Sequence, residues 1–297
     1  MQHSPGAPLP WCMVLAIWGS KYGAAHVNEL ARQARAESPG LARIVLFTDH
    51  LRDGIDGDIH QTLFPAYFHR PDFFAGAYRA KLAMFSRDLL PRGLRCLYVD
   101  LDTVVTGDLG RIAALVTGTE DCLMMPPAGL GFGRWRRLAD ALRGGRKFPV
   151  GNSSLVAFHA DARQNISESF QRLHASGVDI DTRHMNIDDV FISWIARGRI
   201  GGIPKTLAVS FRREFLARAR IILWLRRALP GRQARRAGLV AVTLNGLNVK
   251  PEQLFALPEG SVIHAENGRI GYWSDGFIGP VRHKIIASCQ RLLSSRR

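Results

Sequence analysis

Apolar residues along the chain fall into short unbroken runs that alternate with stretches of helical spacing. Cys12 to Ile17 is one such run, closed by Trp18 and a turn containing Gly19 and Gly23. A run of this length between turn residues predicts a buried strand. From Ala25 to Ala36 the spacing changes, with Val27, Leu30, Ala31 and Ala34 on one face, which predicts a helix. Ala42 to Thr48 is a second predicted strand, ending at Asp49, followed by a Gly/Asp loop from Asp53 to Asp58. A helix over Gly76 to Leu90 stacks Tyr78, Leu82, Phe85 and Leu89, and a third strand starts at Leu94. The pattern then predicts a helix over Gly107 to Val116, a strand over Cys122 to Met125 and a Gly/Arg-rich excursion over Gly129 to Gly145. A strand over Val150 to Ala160, a helix over Asn165 to His174, a loop with Asp181 and His184, and a helix within Asn186 to Ala196 complete this part. Strand, helix and strand in this succession predict a mostly parallel α/β sheet with helices on both faces.

The third strand carries the sharpest chemical signal. Leu94, Cys96, Leu97, Tyr98 and Val99 lead into Asp100, Leu101 and Asp102, then Thr103, Val104 and Val105. A buried strand that ends in acids puts charge at its carboxyl edge, where open α/β sheets bind ligands. Two carboxylates two positions apart at a turn can both reach one hard divalent cation whose remaining sites take phosphate oxygens and water. Asp100-Leu101-Asp102-Thr103-Val104 also fits a phosphatase-like D-x-D-x-[TV] pattern, with Asp100 as nucleophile and Asp102 as acid/base. That pattern usually stands near the start of its family's chains, whereas here about ninety residues of coherent α/β pattern precede it. Neither G-x-G-x-x-G nor the Walker pattern occurs.

At 297 residues and 46% hydrophobic, the chain can bury one large core or two joined halves. No run of about twenty apolar residues predicts a transmembrane helix, and Met1 to Leu9 lacks the basic start and apolar centre of a signal peptide. Cys12, Cys96, Cys122 and Cys289 have no paired spacing, which argues against a Cys-based zinc site or a disulfide scaffold and makes a reducing cytoplasm the expected setting. The formal charge of +15, from 40 Lys and Arg against 25 Asp and Glu, implies an anionic partner. Basic residues gather at Arg134, Arg136, Arg137, Arg143, Arg146 and Lys147, and again from Arg212 to Arg236. Over Phe211 to Ala237, Phe215, Ile222, Leu225 and Leu229 recur at helical spacing among arginines, a pattern that suits either a membrane interface or an arginine-covered helix docked on the protein's own core.

Three further pieces stand in register with the acidic turn: Trp18-Gly19-Ser20-Lys21-Tyr22-Gly23, Phe47-Thr48-Asp49, and Gly76-Ala77-Tyr78-Arg79-Ala80-Lys81-Leu82. With Asn152-Ser153-Ser154 and Asp188-Asp189 downstream, the chain resembles a GT-A-fold glycosyltransferase of the glycogenin and lipopolysaccharide galactosyltransferase group, over roughly residues 12 to 205. The resemblance implies a Rossmann-like nucleotide half joined to an acceptor half. It implies that Asp100 and Asp102 hold Mn²⁺ or Mg²⁺ against the diphosphate of a nucleotide sugar, with Asp100 also near the ribose. A third ligand in the family is a late histidine, for which His264 in Val262 to Gly268 is the candidate, although the spacing to glycine departs from the family's and its lysine is missing from this segment. Tyr22 would stack on the nucleobase and Asp49 would accept from the base N–H. Lys81, backed by Arg79, would meet phosphate or the acidic cluster. Asn152 opens the strand toward the sugar, with Ser154 where glycine is usual, and Asp188 and Asp189 would bind sugar hydroxyls and the acceptor.

The expectation is a single GT-A-like catalytic domain: a nucleotide-sugar half over 12–110, a sugar and acceptor half over 111–205, a basic amphipathic segment over 206–240, and a C-terminal segment over 241–297 closing the metal site. It would move a sugar from a UDP-sugar to a hydroxyl of a polysaccharide or lipid-linked acceptor, in the cytoplasm, with residues 211–237 touching an anionic membrane from its inner face. Two rival readings are a phosphatase-type hydrolase and a basic nucleic-acid-binding protein. The second gives no reason for two carboxylates at a strand end, and its basic runs lack interleaved aromatics, so no specific nucleic-acid partner is expected.

Overall fold

The computed structural model describes residues 9–75, 78–127, 132, 148–177, 182–197, 199–246 and 248–294. Gly76, Ala77, Asp181, the basic cluster from Arg134 to Lys147 and, apart from Phe132, the Gly129 to Gly145 excursion lie outside the described residues. The chain divides into two compact units, one built from the residues up to Ala24, Gly40–Val99 and Ile112–Pro204, the other from Ala25–Pro39, Asp100–Arg111 and Lys205–Arg297.

The first unit is an α/β sheet of seven strands flanked by helices. Its strands are β1 (Trp11–Ile17), β2 (Leu41–Thr48), β3 (Ile59–Leu63), β4 (Arg95–Val99), β6 (Cys122–Met125), β7 (Asn152–His159) and β8 (Ile200–Gly202), in the order β3-β2-β1-β4-β7-β6-β8. β1 pairs parallel with β2 and β4, and β2 with β3, while β7 runs antiparallel to both β4 and β6. All seven residues of β1 are buried, as a strand covered on both faces requires. Below the sheet, Phe68, Phe73, Phe85, Phe158, Phe170 and Phe191 form an aromatic core. Ile17 lies opposite Thr48, so the loops carrying Tyr22 and Asp49 leave the sheet at one edge, and the reversed β7 begins at that edge with Asn152.

One predicted element changes type. Tyr78–Phe85 is a 3₁₀ helix rather than part of a long α-helix. Six consecutive residues, Ala80 to Phe85, are buried. A segment enclosed on every side has no polar face to mark a 3.6-residue period, so spacing alone does not define its helix type.

The second unit pairs β5 (Thr103–Val105) antiparallel with β10 (Ala241–Thr243), and β10 parallel with β9 (Ala208–Ser210). β11 (Val262–His264) and β12 (Ile270–Tyr272) form an antiparallel pair. The helices Ala24–Glu37 and Pro280–Ser294 meet through Glu29, whose carboxylate accepts from Arg32, Gln33 and Arg291. Burial works to raise the Glu29 pKa, but its two arginines hold it below the ordinary carboxylate range. Trp273, Phe211, Phe215, Leu216 and Val242 lie in the core of this unit.

The expected continuous basic helix over Phe211 to Ala237 is not formed. It is three helices, Phe211–Glu214, Arg220–Ala228 and Pro230–Ala237. Ala217 leaves the helical path to pair with Ile270, and Pro230 lacks the N–H needed to continue a helix, so it starts a new one. Phe215 is therefore core, while Leu225 and Leu229 are exposed. Among the described residues no helix is long and apolar enough to cross a membrane.

Gly151 precedes β7 in close quarters. A Cβ there would stand 2.9 Å from the Met124 Cβ and 3.0 Å from the Phe132 ring. Gly151→Ala is expected to cost about 1–3 kcal/mol through overpacking. Urea denaturation checks this, with an unchanged midpoint arguing that β6 and β7 are not packed as described.

Candidate functional site

In the first unit the loops after β1 and β2 are tied by Asp49. Its carboxylate accepts the Gly19 N–H at 2.9 Å and the Arg52 guanidinium at 2.8 Å, and Arg52 also donates to the Gly19 carbonyl at 2.9 Å. Burial pushes the Asp49 pKa up, but the Gly19 N–H and Arg52 outweigh it and keep the group ionised below the usual carboxylate range. Gly19 has φ of 62°, a left-handed conformation natural to glycine. Tyr22, on the same edge, is half-buried with the Lys21 ammonium 5.2 Å from its ring centroid. Arg52 had no motif to mark it, and it is what fixes Asp49.

The densest chemistry in this unit surrounds Lys81. Its side chain is 6% exposed, and its ammonium lies 3.1 Å from Asp188 and donates to the Ser153 hydroxyl at 3.1 Å. It also stands 5.1 Å from the centre of the Tyr98 ring. Ser153 in turn donates its hydroxyl to Asp188 and its backbone N–H, at 2.5 Å, to Asp189. Arg79 donates to Asn186, in the helix Thr182–Asn186 that leads to these acids. The structure thus brings together Lys81, Asp188 and Asp189 with Ser153, while Arg79 meets Asn186, two residues ahead of Asp188; Asn152, next to Ser153, uses its own side-chain oxygen to accept the Ser154 N–H at 3.1 Å. Asp188 does not cap the helix Asp188–Ile195: Ile187 is its N-cap residue, and the Asp188 carboxylate is directed to Lys81 and Ser153.

The two neighbouring acids differ in environment. Desolvation by burial, then the nearby Asp188 charge, push the Asp189 pKa up to about 6, against the opposing pull of Lys81 and Ser153. Asp189 therefore titrates near neutrality, where a carboxyl can take up or give back a proton.

Asp100 and Asp102 belong to the second unit, on the turn between β4 and β5. The Asp100 carbonyl accepts from Thr103 at 3.0 Å and the Asp102 carbonyl from Leu244 at 2.8 Å. The Asp102 carboxylate is paired with the Lys250 ammonium, which also donates to the Leu244 carbonyl at 3.2 Å. His264 ends β11 opposite Ile270 and is exposed. Among the described residues no three His, Cys, Asp or Glu side chains are grouped to hold a metal ion, so Asp100, Asp102 and His264 are not gathered into one set in this structure. Asp102 does favour a cation, and the one it holds is Lys250. No spacing rule marked that lysine, which stands just before Pro251 and nearly 150 residues beyond its partner.

No family profile and no curated protein sequence matches this chain. Solved structures do match. An active-site mutant of LgtC aligns over 81% of this chain and 89% of its own, with 13% identity and a TM-score of 0.53. The bifunctional glycosyltransferase WbbM, in its apo form, aligns over 96% of this chain and 53% of its own, with 13% identity and a TM-score of 0.54. GlyE of Streptococcus pneumoniae, a glycosyltransferase, aligns over 96% of this chain and 63% of its own, with 12% identity and a TM-score of 0.52. The chain has the GT-A-like fold of these glycosyltransferases. The likeness is one of backbone path: about seven in eight aligned residues differ from the GT-A-like neighbours.

Two expectations follow from the acid cluster of this GT-A-like chain. Lys81→Met leaves Asp188 buried without its cation and should destabilise the protein by about 3 kcal/mol, with Lys81→Met/Asp188→Asn recovering part of that loss in urea melts. Because the folded pKa of Asp189 lies above its unfolded value, its contribution to stability is fully present below the unfolded pKa and is lost as pH rises through about 6. Asp189→Asn, which keeps an oxygen for the Ser153 N–H, should therefore gain Tm over the parent as pH rises from 5 to about 8. A Tm difference that does not vary with pH would refute the shifted pKa.

Proposed function

We propose that this chain is an enzyme that transfers a sugar from a nucleoside-diphosphate sugar, a UDP-sugar, to a hydroxyl group of a polysaccharide or lipid-linked acceptor. The observation that carries the reading is the buried Lys81–Ser153–Asp188–Asp189 cluster at the strand edge of a GT-A-like fold. LgtC, one of the structural neighbours, has been crystallised with donor and acceptor sugar analogues. Transfer breaks the bond between the anomeric carbon and the diphosphate oxygen and forms one to the acceptor oxygen. The acceptor hydroxyl loses a proton, and the nucleoside diphosphate leaves with the electron pair.

In this reading Asp189 receives or positions the acceptor proton, which its pKa near 6 suits. Asp188, held by Lys81, and Asn152 orient sugar hydroxyls. Tyr22 offers a ring face to the base, and Asp49, already fixed by Gly19 and Arg52, lines the base pocket. Asp100 and Asp102 would hold Mn²⁺ or Mg²⁺, with His264 as the further ligand candidate. When bound, the ion offsets charge on the departing diphosphate. For Asp102 to serve, Lys250 must release it, and a freed ammonium is itself a phosphate partner. Work on a lipid-linked acceptor places the enzyme in the cytoplasm beside the inner face of an anionic membrane.

Calorimetric titration of UDP, with and without Mn²⁺, tests the donor site at a salt concentration that screens the arginines. Micromolar, metal-linked binding that weakens about tenfold or more in Asp102→Asn is expected. The assignment fails if UDP and the other nucleoside diphosphates show no metal-linked binding.

A further inference from the structure

The helix Arg220–Ala228 is amphipathic in the reverse sense for a helix on a protein surface. Its apolar stripe at i, i+3 and i+4, Ile221, Trp224 and Leu225, is 64%, 51% and 59% exposed. Leu229 prolongs the stripe at 56% exposure. What faces inward is Leu223, at 3% exposure, together with Arg226, which donates to the carbonyls of Glu214 at 3.3 Å and Leu216 at 3.1 Å. Apolar side chains contiguous along a helix and turned to water mark an interaction surface.

The charge around the stripe says what kind of surface it meets. Arg213, Arg218, Arg220 and Arg227 are exposed on or beside this helix. From Arg212 to Ala237 the sole acid is Glu214. It is buried and neutralised by Arg235 and Arg236, which hold its pKa below the usual range although burial opposes them. The ring of Trp224 packs against Phe277, and the Arg227 guanidinium lies 5.1 Å from its centroid, so the indole is presented with a cation at its rim. An indole and aliphatic groups in the middle, arginines around them and no exposed acid within Arg212–Ala237 make the composition of a helix lying in the headgroup region of an anionic bilayer; the neighbouring Asp275 is paired with Arg282 and His283.

We propose that the helix Arg220–Ala228 docks the protein on an anionic lipid surface, inserting Ile221, Trp224 and Leu225 and directing Arg213, Arg218, Arg220 and Arg227 to lipid phosphates. This deepens the lipid-linked-acceptor reading and rests on it for its purpose. The exposed apolar stripe and its arginines do not depend on donor chemistry.

The test is flotation of the full chain with phosphatidylcholine vesicles, with or without phosphatidylglycerol, and no nucleotide or metal present. Binding is expected to phosphatidylglycerol-containing vesicles and to weaken as salt rises. Ile221→Glu/Leu225→Glu should lower the partition coefficient about tenfold or more while leaving Tm unchanged, since both side chains face water. Arg218→Gln/Arg220→Gln should weaken binding and flatten its salt dependence. Fluorescence quenching by brominated lipid should disappear in Trp224→Phe. The proposal is overturned if vesicles are not bound, if the double Glu variant binds as well as the parent, or if that variant breaks a dimer in sedimentation velocity without altering flotation. UDP binding that fails alongside intact vesicle binding would remove the transferase reading and leave this surface standing.

Discussion

An ammonium group can be buried only if anionic and polar partners surround it, and that requirement at Lys81 organises the first unit. Left without partners, a charge so enclosed costs several kcal/mol. Three elements meet there: the 3₁₀ helix carries the lysine, the start of β7 supplies Ser153, and the helix Asp188–Ile195 supplies Asp188. Because Ser153 also gives its backbone N–H to Asp189, satisfying the lysine fixes both acids. The neighbouring acids then have unlike surroundings. One sits against the cation, and the other is left in a desolvated place beside a like charge. Desolvation beside a like charge is how a site obtains a carboxyl that exchanges its proton near neutral pH.

The second unit answers the same constraint with Lys250 on Asp102. Asp102 is a carboxylate in a confined turn, and its fold stabilises positive charge next to it whatever the source.

Much of the fold was legible in the sequence because its strands are buried on both faces. β1, β2, β6 and β7 are marked by their apolar residues within a residue or two of their observed ends. The sheet could be read as mostly parallel, since strand and helix alternate through the first hundred residues. The exceptions have physical causes. Burial of Ala80 to Phe85 on every side left the spacing unable to define the helix type there, and the pairing of Ala217 with Ile270, remote in sequence, broke a helix that its own spacing supported. At the site, Asp49, Lys81, Asp188 and Asp189 stood out because they fell on motif positions. Lys250 acts as a partner to Asp102, and a partner has no spacing signature when it is supplied by another element; Arg52, three residues beyond Asp49, fell on no motif position. His264 had the right chemistry, but as the end of a short two-stranded pair it is placed by its own strand partner, Ile270.

Arg226 carries a last consequence. Its guanidinium donates to carbonyls at Arg213, Glu214 and Leu216, so it fastens the exposed helix to the end of the preceding helix Phe211–Glu214, alongside the buried Leu223. Peptides that fold only upon reaching a surface lose much of their contact energy to their own ordering. Here the helix is ordered beforehand by the body of the protein, so each exposed apolar side chain can contribute nearly its full transfer free energy to whatever it meets. A helix of only nine residues, too short to persist alone in water, can thereby act as a rigid foot.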